Sequence, residues 1–519
     1  MADGEFRVSR IKLFIILVIL AACGYAVYQR YVGPRLKMKA GLTQLLRTSK
    51  FSEAETLRVA HNMWSGYNIN FLIKALGYDQ QAKFNLDVKI ENDPDKAYSM
   101  LEKGDIDVNG TTIDMFIGQA GNKDPGVLLF KVDDSDGGDA LVVNREKIKN
   151  LNDLIGKRVS YEEGSPSQYF LLYLLHIGGL SSRDIDAKPM PVPDAFDKFK
   201  THEVDAIVTY EPFASQAAGL PFGYKLLTTK DAKNLIMDIN CASRKAITDK
   251  ADLLSRYTEA WFRALRYMQA NPREAYAKMH EAAPDQVTQS PDELADIYSG
   301  IQFTTLEQNK EWLGLAEGKV EQASGVIKIA EKVWMNEGRL ANSLDASKFI
   351  NTTFVERINP SQGQDLFAGV TSSIGKEKIA PVAPVEQPVA PMSFEQAEHS
   401  EKIVQLRVDK IYFPSGSAKL DPNAEAILDG VGETLRNFPH LYLIIDGHTD
   451  DVGDLNGNRR LSQMRANSVT DFLADKYGFD RNRLVARGLG EDRPIADNST
   501  DEGRARNRRT EFRLARQGT

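Results

Sequence analysis

Cysteine is nearly missing from these 519 residues: only Cys23 and Cys241 occur. That excludes a disulfide framework and any cysteine spacing that would hold zinc. Histidine is sparse too, with seven in the chain, and His61, His176 and His280 stand alone as structural side chains. No nucleophile stands with a base, so neither an enzyme nor a cofactor is expected. An excess of positive charge is also missing. Sixty-five Lys and Arg against 72 Asp and Glu leave a net charge of -7, which gives no electrostatic footprint for nucleic acid. The composition that remains, 42% hydrophobic and 26% charged, is that of a globular chain long enough for two or three domains.

The densest chemistry lies in Gly447 to Ala466, GHTDDVGDLNGNRRLSQMRA. Alternating Leu441, Leu443 and Ile445 predict a strand that ends in a loop with His448, Thr449 and Asp450. Leu461, Met464, Val469, Phe472 and Leu473 recur at helical spacing, and Arg465 is four residues from both Leu461 and Val469. Its guanidinium therefore emerges beside the buried stripe, where a charge needs a partner or a ligand. A carboxylate and a guanidinium across one loop suit a zwitterion, the first accepting from an ammonium and the second gripping a carboxylate.

These residues resemble the OmpA-like peptidoglycan-binding domain. The match runs from Val408 to Leu514 and keeps GHTD, Asn458, Leu461-Ser462, Arg465-Ala466, the G-x-G-E of Gly488 to Glu491, and GRARNRR at 503–509, where Arg504, Arg506, Arg508 and Arg509 cluster. The resemblance implies that Asp450 and Arg465 clasp the diaminopimelate of the peptidoglycan stem peptide, with Thr449 and Asn458 in the same site. The chain departs from the pattern at YFPSGSAKL (412–420), where Pro414 and Gly416 stand where relatives often have Asp and Asn. A second reading stays open, in which Asp450 and Arg465 pair with each other and merely staple the loop.

At the other end, Arg7, Arg10 and Lys12 precede an apolar run, Leu13 to Ala22, extended to Tyr28. A spanning helix needs about 20 apolar residues and tolerates about 17, so residues 1–33 read as a membrane anchor. The alternative is a lipoprotein-type signal with Cys23 lipidated after cleavage, since small residues precede that cysteine. The apolar and aromatic continuation from Gly24 to Val32 favours the uncleaved span. Basic residues flank both sides and do not set orientation. A wall-binding domain does, by placing everything after the anchor in the periplasm.

Over residues 55–357, β-rich runs alternate with helical ones, which predicts an α/β architecture with largely parallel sheets. LRVAHNMWSGYNINFLIKALG (57–77), LEKGDIDVNGTTIDMF (101–116), LNDLIGKRVSYEEGSPSQYFLLYLL (151–175), VDAIVTYEPFASQAA (204–218) and AWFRALRYMQANPREAYAKM (260–279) resemble the periplasmic solute-binding proteins of the nitrate, sulfonate and thiamin-precursor transport class. The fold implied is the two-lobed periplasmic-binding-protein fold (type II), followed by a small OmpA-like α/β sandwich. Loops at strand ends are where such folds hold ligands, which selects Trp64, Ser65, Tyr67, Thr111, Thr112, Ser165, Ser167 and Glu211 as ligand-binding candidates. Helix-start hydroxyls and N–H groups favour an anion or a polar oxygen. The resemblance implies an oxyanion, sulfonate or pyrimidine, with Glu163, Asp114 and Glu211 on hand for an amine. Helix capping accounts equally for the Ser and Thr clusters.

Residues 358–397, with APVAPVEQPVAPM, form a Pro-rich linker, a semi-rigid spacer of about 3.1 Å per residue. Strands at Val408–Phe413, Arg483–Gly488 and Thr510–Leu514 and a helix over Pro422–Phe438 are expected in the domain at 398–516. The function expected is a membrane-anchored, ABC-transporter-type binding protein for a small solute, tethered to peptidoglycan and with an ABC permease or another inner-membrane protein as partner. The alternative is an envelope scaffold or sensor whose solute-binding fold does not serve transport. A proton-driven motor, on which similar wall-binding domains occur, would need an ionisable group in the span, and Leu13 to Tyr28 has no Asp or Glu.

Overall fold

The computed structural model describes residues 51–358, 390–414 and 416–517. The expected anchor (1–33), Cys23 and most of the Pro-rich linker lie outside the described residues, and among these no helix is long and apolar enough to cross a membrane.

Short apolar runs build a first sheet from β1 (Thr56–His61), β2 (Asn85–Ile90), β3 (Val108–Thr112) and β4 (Val127–Ser135). The chain then leaves for a second sheet of β5 (Asp139–Asn144), β6 (Arg158–Tyr161), β7 (Asp186–Pro189), β8 (Ala206–Tyr210) and β9 (Gly223–Thr228). It returns with β10 (Met237–Ala242) and β11 (Ile301–Phe303). The first sheet has the order β11-β4-β10-β3-β1-β2 and the second β7-β6-β8-β5-β9. Residues 136–138 and 229–236 are thus two crossings between two lobes, as the two-lobed expectation required. The Thr229 hydroxyl fastens the crossings together, 2.9 Å from Ser135 Oγ and accepting the Gly137 N–H at 2.9 Å.

The sheets are mixed, not largely parallel. β1 and β3 run parallel, but β10 is antiparallel to both β3 and β4, and β5 to both β8 and β9. The crossings are the reason, because β4 and β9 pass directly into strands of the other lobe without a helical return.

Three helices shape the space between the lobes. α1 (Pro94–Lys103) begins with Pro94 after Asp93, whose carboxylate accepts the Lys96 N–H at 3.1 Å. α2 (Ile113–Gln119) follows β3 directly, and α3 (Pro166–Ile177) has an almost fully buried apolar body.

The C-terminal module starts earlier than expected, with α4 (Phe394–His399) and β12 (Glu401–Gln405), and no strand forms at Val408–Phe413. Lys402 and Val404 pair with Ala515 and Leu514 across a register shift, and Ile403 and Val404 are both fully buried. α5 (Pro422–Arg436), β13 (Tyr442–His448), α6 (Leu455–Tyr477), β14 (Leu484–Gly490) and β15 (Thr510–Arg516) complete a sheet of order β12-β15-β13-β14. The module also rests on the second lobe: the Asn437 side-chain N–H donates to Tyr173 Oη at 2.8 Å, Phe438 stacks on that ring, and Arg516 meets Asp231 at 3.0 Å.

α6 lies so close to its sheet that the motif glycines become obligatory. A Cβ on Gly447 would fall 2.4 Å from Ser462 O, and one on Gly488 2.4 Å from Gln463 N. Gly488→Ala is therefore expected to destabilise the module by about 1–3 kcal/mol, read as a lower urea midpoint with an unchanged slope.

Candidate functional sites

The first site lies where β13 meets α6. After β13 ends, the Thr449 N–H donates to Gly490 O at 2.9 Å, which fixes the loop and sets Asp450 at its base. Ser462 ties the same corner, its hydroxyl donating to Arg459 O at 2.9 Å and accepting the Gly490 N–H at 2.9 Å. The Asn458 amide donates to Glu491 Oε2 at 2.7 Å and to Asp450 O at 3.3 Å. These bonds explain why Leu461-Ser462, Asn458 and G-x-G-E occur together.

Asp450 and Arg465 do not pair. Asp450 Oδ2 accepts from Arg508 Nη1 at 2.5 Å. Arg465 donates from Nε to Ser417 O at 3.1 Å and from Nη2 to Pro414 O at 3.4 Å, with Phe413 beneath its guanidinium at 5.1 Å. The stapling alternative is thereby set aside for this pair. Burial holds the Arg465 guanidinium below its ordinary value, partly offset by Asp450. Only two of its five N–H donors are committed to these carbonyls.

Two neighbours are unsatisfied: Thr449 Oγ1 and both His448 ring nitrogens are buried and have no hydrogen-bond partner. Burial, helped by Arg509, lowers the His448 imidazole to about 4, so it is neutral at pH 7. One recessed carboxylate flanked by two guanidiniums and an unpartnered hydroxyl can take an ammonium and a carboxylate side by side. The residue that sequence reasoning missed is Arg508. Its signal is the GRARNRR run at 503–509.

The second site is a cleft of about 660 Å³ between the two lobes, within the range of small-ligand pockets. Of the predicted residues, Trp64, Thr111, Thr112, Ser165 and Ser167 line it. Ser65, Tyr67 and Glu211 do not. The Ser65 carbonyl accepts from Tyr298 Oη at 3.1 Å. Tyr67 is fully buried and donates to Asp238 Oδ1 at 2.6 Å. Glu211 is engaged by Lys225 at 2.7 Å and by the Ser215 hydroxyl at 2.9 Å. The Ser165 hydroxyl donates to Glu162 O at 2.7 Å, so its hydrogen is already used.

Asp238, Asp139, Asn109 and Tyr210, which no sequence motif marks, also line the cleft. Asp238 lies opposite Asp133 on neighbouring strands. Burial pushes Asp133 up to about 7, with Asp134 adding to it, and pushes Asp238 well above the carboxylate range, where the neighbouring Asp133 adds to the effect of burial. Burial raises Asp139 to about 6 even though the Ser135 hydroxyl donates to it at 2.7 Å. Asp114 is raised to about 7 by burial but is not among the residues lining the cleft. Among the described residues no cluster of three or more His, Cys, Asp or Glu is arranged to hold a metal.

Comparison with known proteins matches two separate stretches of the chain. Residues 412–508 match the OmpA family and residues 69–275 match the NMT1/THI5 like family. Outer membrane porin F of Pseudomonas aeruginosa is 39% identical over 110 residues, which is 21% of this chain and 31% of the porin. The probable lipoprotein YiaD of Escherichia coli (strain K12) is 40% identical over 115 residues, 22% of this chain and 52% of the lipoprotein. The chain thus spans between about a third and a half of these relatives. Among solved structures, the periplasmic aliphatic sulphonate binding protein SsuA from Escherichia coli aligns with 57% of this chain and 97% of its own, at 18% identity and a TM-score of 0.45.

Proposed function

We propose that this chain, in which an NMT1/THI5-like domain is followed by an OmpA-family domain, is a periplasmic solute-binding protein of the ABC-transporter type, held to the inner membrane by residues 1–33 and to peptidoglycan by its C-terminal module. It binds and does not catalyse. The observation that carries the reading is the presence in one chain of a ligand-sized cleft between two lobes and of the Asp450, Arg465 and Arg508 corner. Asp450 accepts the ammonium of the diaminopimelate stem peptide, and Arg465, with Arg508, receives its carboxylate. The two attachments keep the cleft close to one membrane site, where an ABC permease or another inner-membrane protein receives the solute.

Membrane attachment is tested by intact-mass analysis of the mature protein. A chain that keeps Met1, with Cys23→Ala still in the membrane fraction, is the expected result. A mature N-terminus at a lipidated Cys23 replaces the span with a lipoprotein anchor.

A further inference from the structure

We propose that the cleft takes a small organic cation, an amine or a quaternary ammonium, rather than an oxyanion, sulfonate or neutral pyrimidine; this rests on the reading of the chain as a solute-binding protein.

The lining is one-sided in charge. Among the described residues that face the cleft there is no lysine or arginine, while both lobes contribute carboxylates. On the first lobe Glu91 and Asp95 have lysine partners, Lys96 at 2.7 Å and Lys123 at 3.9 Å, neither of which lines the cleft, and Asp93 caps α1. That leaves Asp238 on the first lobe and Asp139, Glu162 and Glu163 on the second without a lysine or arginine among the lining residues. Burial keeps the Asp238 carboxyl protonated at neutral pH, so it adds no charge; the formal charge of Asp139, Glu162 and Glu163 remains, which a bound anion would oppose and a cation relieve.

A second observation is independent of the acidic residues. Asn109 lines the cleft, is 2% exposed, and its side-chain oxygen has no hydrogen-bond partner. A buried acceptor left open is costly unless a ligand donor meets it, and the N–H groups of a protonated amine, or the hydroxyl of a choline-like cation, are such donors. The aromatic lining agrees with this. Trp64 from the first lobe and Tyr210 from the second both face the cleft, and an organic cation gains from ring faces as well as from carboxylates. The N-terminus of α3, where an anion would otherwise be favoured, already has Glu162 and Glu163 just ahead of it.

The test is a thermal-shift and calorimetric screen of the full chain at pH 7.5. The probes are putrescine and choline, methanesulfonate and sulfate, and a neutral hydroxymethylpyrimidine. Stabilisation by a cation alone is expected, with affinity at least tenfold weaker in Asp139→Asn. Glu163→Gln, at an exposed position, is expected to weaken it severalfold with an unchanged melting temperature of the free protein, which separates lost binding from lost folding. Binding of the sulfonate or the pyrimidine without the cations overturns the charge class and leaves the solute-binding reading standing. If no probe of any class shifts the melting temperature of the folded protein, both fall.

Discussion

Arg465→Ala is expected to lower the affinity of the protein for diaminopimelate-type peptidoglycan at least tenfold in a co-sedimentation assay, with the fold intact. Arg465 is 6% exposed and its backbone-carbonyl partners lie in a loop, so its loss removes a donor from the ligand more than a strut from the core. Truncating one member of a desolvated charge pair costs on the order of 2–5 kcal/mol, and 1.4 kcal/mol is already a factor of about ten. Asp450→Ala is expected to be as severe, and to release Arg508, whose side chain is 46% exposed and stays solvated without its partner. The double variant is expected to be little worse than either single one, because both residues act on one ligand group. Wall binding retained in a folded Arg465→Ala protein removes the basis for the assignment.

The largest expected loss of stability lies elsewhere in the module. Arg487 is fully buried and forms a two-pronged pair with Asp446, at 2.6 and 2.7 Å, plus a bond to Glu398 at 2.6 Å. It joins β13, β14 and α4, so Arg487→Ala strips the 7%-exposed Asp446 of its hydrogen-bonded ion-pair partner. A loss of about 3–5 kcal/mol is expected, measured by urea denaturation. Replacing both members, as Arg487→Met with Asp446→Leu, is expected to recover most of it, since the penalty comes from the stranded charge more than from the missing pair. A double variant as unstable as the single one would show that Glu398 and the packing around Arg487 carry the effect.

How much of this was legible in the sequence depended on the range of the interactions. β6, β8 and α3 form from short apolar runs bounded by turn residues, which carry their own signal of an alternating α/β chain. β10 escaped notice because Asp238 and Asn240 interrupt its apolar residues, and both are buried by strands distant in sequence. The same interruption hid the acidic floor of the cleft: a carboxylate inside a strand reads as a break until its partners are placed around it. At the β13–α6 corner the motif pointed to Asp450 and Arg465, which the structure places near each other, but not to their partners. Arg508 is 58 residues from Asp450, and periodicity carries no information over that span. Glu211 shows the opposite failure, a strand-end acid whose position suggested the cleft and whose side chain is held by Lys225.

The central claim is that one corner of the C-terminal module reads a zwitterion, and calorimetric titration of the full chain with meso-diaminopimelate tests it most directly. The account predicts saturable one-to-one binding that disappears in Arg465→Ala. Absence of binding in the unaltered, folded protein, or equal binding by Arg465→Ala, would contradict it.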